Sequence, residues 1–599
     1  MNNSLPVKQR GCLRKGCLAL IIIPALIVVG LIWGLRSSRS LPDRFVLVLP
    51  LSGGVDEIRN ESSSLPFIPS RGPLSLQELL FVLDNAVADE RVKELLLDIG
   101  GLQTTPAKIA ELRDAVEKVR KGGKKVTALL HSAEDSDYLL ASACDTIIVE
   151  RGGYLHLDGL KAESLYYTTP LGKIGVQVQA AQWKKYKSGI EPYVRTEGSK
   201  EHFEQTNALL DEVYDTYLTT VSKRRNISRS AFEAMINNEA LLSANRAKVL
   251  GLVDAVASSW ELERSLTKKI TGKELSSDNE AYVSAAGYRA AVTWPKRSTT
   301  DEAIAVITLS GTIVRSLGEL GEGVDVQTLK SSLDAALENK NVKAIVLRID
   351  SPGGDALASA DMLQILDSAA VKKPFLVSMS GVAASGGYMT ALAGKTIFAQ
   401  PLTITGSIGV YALRPNISGL AEKVGLKRDV VTRGRYADAN TPFKPLEGEA
   451  YQKFVAASGE VYEDFIGKVA ASRKMPVAAV DSVAGGHVWT GSRAMKAGLI
   501  DRMGGLFDAI QAAQLLAKIE PGKKPKLLLY PLQKSWIASL FDGKSSSFSD
   551  RVVVAIKKQV LREVIPGQHF TSMQEFYEML GESGQLHLLA VMPCEIIIN

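Results

Sequence analysis

Cysteine is scarce in this chain of 599 residues: Cys12, Cys17, Cys144 and Cys594 are all there are, with no pair of CxxC units and no histidine cluster beside them. Neither a disulfide framework nor a structural zinc site is expected. Histidine is almost as sparse. His131, His156, His202, His487, His569 and His587 share no motif, and none has an aspartate at a spacing that suggests a Ser-His-Asp arrangement. Charge of one sign is missing too: 71 basic side chains against 65 acidic ones leave +6, and no long basic run is interleaved with aromatics. Nucleic acid is therefore not an expected partner. Aromatics are only 6%, yet 46% hydrophobic and 23% charged residues are the profile of a folded globular protein. At roughly 150 residues per domain, the length is enough for about four units with large cores.

One long stretch has no charge at all. Residues 17–35, CLALIIIPALIVVGLIWGL, would rise about 28 Å as a helix, close to the hydrocarbon thickness of a bilayer, and so predict a transmembrane helix. The run is longer than the core of a usual signal peptide, and the following LRSSRSL lacks a small-x-small cleavage site, so an uncleaved anchor is expected. Lys8, Arg10, Arg14 and Lys15 precede the span and Arg36, Arg39 and Arg44 follow it. The slight positive-inside bias puts residues 1–16 in the cytoplasm and the remainder beyond the membrane. Those seven basic residues exceed the whole net charge. Cys12 and Cys17 flank the span, where acylation is chemically open.

Sliding the sequence against itself by 250 positions uncovers a duplication. NVKAIVLRI (341–349) falls on RVKELLLDI (91–99), Tyr388 on Tyr138, Gly409 on Gly159, Gly425 on Gly175 and Tyr436 on Tyr186. RAKVLGLVD ending at Asp254 and RAMKAGLID ending at Asp501 resume the match after small length changes. The chain thus reads as a first copy over 42–280, a linker over 281–301, a second copy over 302–515 and an extension over 516–599. Within each copy short β-branched runs alternate with helical stretches, which predicts βα units and an α/β fold with mainly parallel, buried strands.

The copies differ most where chemistry would sit. The strand KAIVLRI runs into Asp350-Ser351-Pro352-Gly353-Gly354, where the first copy has Gly100-Gly101-Leu102-Gln103-Thr104. Ser385-Gly386-Gly387 stands where the first copy has Asp135-Ser136-Asp137, and Lys187 of the first copy aligns with Ala437 of the second. A serine at a strand-to-helix turn is presented for attack, and glycine after it opens the backbone N–H to an oxyanion; a Pro-Gly-Gly turn would supply a second N–H. Taken alone, Ser-Gly-Gly also reads as a capped helix start. A nucleophilic serine needs a base, and with no histidine in place lysine is the substitute, provided that burial or a cationic neighbour depresses its pKa from about 10.4. Taken alone, Lys187 in KKYKSGIEP also reads as a solvated surface charge.

SGVAASGGY, RIDSPGGDA, TGSIGV, KKYKSGIEP and GHVWTGSRAMKAGLID together resemble the long, duplicated signal peptide peptidases of the S49 family, membrane-bound serine proteases; the resemblance covers nearly all of 17–515. It implies two tandem crotonase/ClpP-like domains after an N-terminal transmembrane helix, and a Ser–Lys dyad. Carried over position by position, it implies Ser385 as nucleophile, Lys187 as general base, Ser407 in TGSIG as the residue that orients the lysine, and the amides of Gly386 and Gly354 as the oxyanion hole. The first copy has Leu157 at the position of Ser407. The two copies would then build one site between them. The resemblance further implies peptide substrates left over from cleaved signal peptides, a homotetramer on the bilayer, residence in the bacterial inner membrane with the catalytic domains in the periplasm, and no cofactor or metal. Two rival readings are an acyl-CoA hydratase or isomerase of the crotonase fold and a catalytically inactive membrane scaffold.

Overall fold

The runs FVLVLPLSGG and AIAVITLS open the two copies, and each becomes the fifth strand along a sheet of its own. The computed structural model describes residues 41–59, 73–275, 281–292, 298–317 and 323–531, with the backbone of 587–591. In the first sheet the path runs Leu241–Ser243, Thr146–His156, Lys125–Ala133, Val92–Gln103, Phe45–Gly54 and Tyr282–Ser284. In the second it runs Val488–Thr490, Ile404–Gly406, Phe375–Ala384, Val342–Ser351, Ala303–Ser310 and Lys526–Tyr530. Strand for strand the order is the same. All neighbours on these paths are parallel except the first pair of each, as expected for buried strands under helices.

Two boundaries move. The stretch 281–301, expected as a linker, carries Tyr282–Ser284 beside Phe45–Gly54 and the helix Ala285–Ala291. The extension expected from 516 onward begins with a piece of the second sheet, Lys526–Tyr530, beside Ala303–Ser310. These are the same edge strand, one per copy. At three and five residues each is too short to show an alternation that a periodicity argument can find.

One large apolar cluster is shared by the two copies, beside a second one confined to the second copy around Leu347, Met362 and Tyr388. In the shared cluster, Leu79, Leu83, Ile109 and Leu112 of the first copy are continuous with Val306, Val346 and Leu376 of the second. The helix Leu76–Ala88, LQELLFVLDNAVA, is apolar nearly all round because it is buried nearly all round. Its start is fixed by a capping box, Ser75 accepting from the Glu78 N–H while Glu78 accepts from the Ser75 N–H. The same interior holds charge: the fully buried Arg348 lies 2.8 Å from Glu57 and 2.5 Å from Glu111, both from the first copy.

A third, mixed sheet also joins the copies. Gln177–Gln182 of the first runs antiparallel to Tyr411–Asn416 of the second, and Gly353–Asp355 lies further along, with the backbone of His587–Val591 between them. Among the described residues no helix is long and apolar enough to cross a membrane. The span expected at 17–35 lies outside the described residues, as do Cys12, Cys17 and Cys594.

Candidate active site

Ser385 stands between the strand Phe375–Ala384 and the helix Gly386–Ala391, with φ 54° and ψ −113°. A residue with a Cβ is strained there, and the turn is held by its surroundings. The Ser385 N–H donates to Gly406 O at 2.8 Å, tying the turn to the neighbouring strand. Its side chain is fully buried.

Lys187 arrives from the other copy. After Gln177–Gln182 has paired with Tyr411–Asn416, the chain crosses beside the second sheet, where the Tyr186 N–H donates to Gly485 O at 3.1 Å. Lys184 faces outward to Asp481 at 3.1 Å, while Lys187 turns in and is fully buried. Two glycines make room for it: a Cβ on Gly486 would sit 2.4 Å from Lys187 N, and one on Gly409 would sit 3.3 Å from Lys187 Cδ.

The Lys187 Nζ lies 2.7 Å from Ser385 Oγ, 2.8 Å from Ser407 Oγ and 2.8 Å from Ser407 O. Burial drives its pKa well below the usual lysine value, and no acidic side chain opposes the shift. All three partners are oxygens, two from Ser407 and one from Ser385, within hydrogen-bonding reach of a single amine. Ser407, with φ 49°, is held by its N–H donating to His487 O at 2.8 Å.

On the other side of Ser385 lie the two glycine turns. A Cβ on Gly386 would come 3.3 Å from both Gly353 Cα and Gly354 N, so the two backbones run side by side. The Gly353 N–H donates to Ser351 Oγ at 3.2 Å. Gly354 has φ 158°, and a Cβ there would overlap Ile313 O at 1.9 Å, so no other residue fits. The structure therefore gathers Ser385, Lys187, Ser407, Gly386 and Gly354 at one place. Gly409, in TGSIGV, and Gly486, which opens GHVWTG, lie inside quoted motifs, but their part in making room for the lysine is not legible in the sequence.

The corresponding place in the first copy is closed by its own side chains. Asp137 accepts from the N–H groups of Gly101 at 3.1 Å and Leu102 at 2.8 Å. Asp135, where Ser385 would be, is buried and accepts from the N–H groups of Asp158 and Gly159, both at 3.2 Å. Ala437, in the place of the lysine, is exposed. His487, inside GHVWTG, stacks on Trp489 with ring centroids 4.1 Å apart and donates to Val488 O.

A serine hydroxyl on a strained strand-to-helix turn, with glycine backbone alongside, is chemically suited to a serine hydrolase. The chain belongs to peptidase family S49, which it matches over residues 118–271 and 368–520, one match in each copy, and it is a serine protease. The chloroplastic serine protease SPPA of Arabidopsis thaliana is 32% identical over 84% of this chain and 73% of its own length. Protease 4 of Salmonella typhi is 33% identical over 74% of this chain and 72% of its own. Among solved structures, the ClpP protease catalytic domain from Plasmodium falciparum aligns with 35% of this chain and 86% of its own at 15% identity, with a TM-score of 0.22.

Proposed function

We propose that this protein is a membrane-anchored endopeptidase with a Ser385–Lys187 dyad that degrades cleaved signal peptides and other apolar peptides. The observation that carries this reading is the 2.7 Å approach of Lys187 Nζ to Ser385 Oγ inside a buried site. Neutral Lys187 takes the Ser385 proton as Oγ attacks the peptide carbonyl, and the C–N bond breaks as the ammonium returns that proton to the leaving amine. Ser407 orients the amine through two hydrogen bonds. The Gly386 and Gly354 N–H groups hold the tetrahedral oxyanion. Water, deprotonated by the same lysine, then releases the acyl group from Ser385.

The test is cleavage of casein and of a synthetic signal peptide by the full chain in detergent, with Ser385→Ala and Lys187→Ala alongside. Loss of cleavage in both is expected. Undiminished cleavage by either variant would remove the dyad, and no cleavage by the unaltered protein would favour a scaffold. Anchoring through 17–35 in a bacterial inner membrane, with the catalytic copies in the periplasm, is part of the same proposal. It predicts that the protein sediments with membranes and that protease added outside spheroplasts reaches the region after residue 41.

A homotetramer is also proposed, and the duplication supports head-to-tail association. The contact of 177–182 with 411–416 has a counterpart, shifted by one copy, between 427–432 and 161–166. Within one chain these two stretches do not pair, and Val431 and Leu165 are 88% and 42% exposed. Of their counterparts in the paired stretches, Ala181 is buried and Pro415 is half-buried. A heterologous contact of this kind closes into a ring when the rotation allows. Light scattering of the detergent-solubilised protein should return four chains, and Val431→Asp should return fewer.

A further inference from the structure

We infer that Lys108 of the first copy is a positioning residue for the oxyanion-binding turn of the second, acting through Asp350. The inference rests on the reading of Gly354 and Gly386 as the oxyanion donors.

The strands Val342–Ser351 and Phe375–Ala384 carry the two halves of that hole at their ends. Their ladder is regular up to Ile349 opposite Met379 and then slips, so that Ser351 faces Ala383. Two residues advance on one strand while four advance on the other. Across this break a side chain does the joining: the Asp350 carboxylate accepts the Val382 N–H at 3.1 Å. Asp350 immediately precedes Ser351-Pro352-Gly353-Gly354, and Val382 lies three residues before Ser385. One carboxylate therefore sets the spacing between the glycine turn and the serine turn.

That carboxylate is held from the other copy. Lys108, on the helix Pro106–Lys121, places Nζ 2.7 Å from the second Asp350 oxygen and 2.9 Å from Val55 O. Burial alone would lower its pKa, but the charges of Asp350 and Glu57 keep it raised, so Lys108 stays an ammonium, whereas burial lowers the Lys187 pKa with no carboxylate beside it. The duplication gives an independent reason to look beyond packing. Gly100 stands at the position of Asp350 in the first copy, and Ala358 at the position of Lys108 in the second. Each partner exists in one copy only, on the same sides as Lys187 and Ser385, and the pair is found where the glycine turn is open and not where Asp137 closes it.

The experiment uses the full chain in detergent with a fluorogenic peptide, comparing Lys108→Met, Asp350→Asn, the double variant and Lys108→Arg. The expected result for the first two is a fall in kcat of about 10- to 100-fold with KM nearly unchanged. Affinity for a peptide boronate, whose tetrahedral adduct uses the same hole, should fall in parallel. The pH of half-maximal rate should stay put, because the Lys187 surroundings are untouched. Lys108→Arg should recover part of kcat, and the double variant should be no worse than the poorer single one. Unchanged kcat in Lys108→Met, a loss confined to KM, or a displaced pH profile would each overturn the inference. If Lys108→Met does not fold, Asp350→Asn is judged by the same criteria, and wild-type kcat there overturns it. Activity surviving in Ser385→Ala would instead sink the dyad reading, whatever Lys108 does.

Discussion

Ser385 and Asp135 occupy the same turn of the same fold, and their surroundings have diverged in opposite senses. Ser385 faces a buried amine whose pKa burial lowers, whereas Asp135 is a buried carboxyl whose bonds come from two backbone N–H groups. Burial raises the Asp135 pKa from 3.8 to about 7, against those bonds. A carboxyl raised in the folded state favours folding when protonated. Its contribution is complete below the unfolded pKa near 4 and is lost as pH rises through about 7, a change of roughly 4 kcal/mol at most. Urea unfolding should therefore find Asp135→Asn more stable relative to the unaltered protein at pH 8 than at pH 5. A difference that does not vary with pH would mean that Asp135 does not titrate in this interval.

Activity should follow the proton on Lys187. Its pKa lies well below 10.5 because of burial, so acylation should rise with pH through that depressed value and level off before ordinary lysines titrate. Lys187→Arg keeps the charge and loses the base, since guanidinium does not deprotonate in this range. It should be as inactive as Lys187→Ala, with rates down at least ~10³-fold. An acylation rate that rises only as ordinary lysines titrate, at about pH 10.4, or that does not fall at any acidic pH, would argue against a buried amine base.

Much of this site could be read from residues, for a physical reason. Duplication supplies an internal control: where both copies match, the fold demands it, and where Ser385, Lys187 and the Gly353-Gly354 turn appear in one copy only, folding does not account for them. The parallel sheets were legible because buried strands such as KAIVLRI are continuous apolar runs. What escaped was short or non-local. Tyr282–Ser284 and Lys526–Tyr530 carry too few residues for a period, and they fell into an expected linker and an expected extension. Lys108 and Arg348 look like ordinary surface charges in sequence, and only the packing of one copy on the other buries them.

Arg348 offers a test of how tightly the copies are joined. Its guanidinium is fully buried, bonded to Glu57 and Glu111 of the first copy and to Ser378 and Ser380 of the second. Glu57→Ala leaves that charge short of a partner and should cost about 3–5 kcal/mol in urea unfolding. Because the apolar core is continuous between the copies, the described region should still unfold in one transition. Two transitions, with only the first moved by Glu57→Ala, would mean that the copies fold separately.

The buried amine itself should leave a mark on stability. A lysine whose pKa is depressed in the folded state binds its proton more readily when unfolded, so between the depressed value and about 10.4 the unfolded chain carries the extra proton. Stability due to this group then rises with pH, by up to about 1.4 kcal/mol per unit. Lys187→Met cannot titrate and lacks that slope. Subtracting its unfolding free energy from that of the unaltered protein cancels the other ionisable groups and leaves the lysine alone, whatever the substitution costs by leaving the Ser407 oxygens without their N–H donors. The difference should grow steadily from pH 7 to pH 10. If it stays constant, Lys187 is protonated in the folded protein up to its ordinary pKa, and it has no lone pair to offer Ser385 near neutrality.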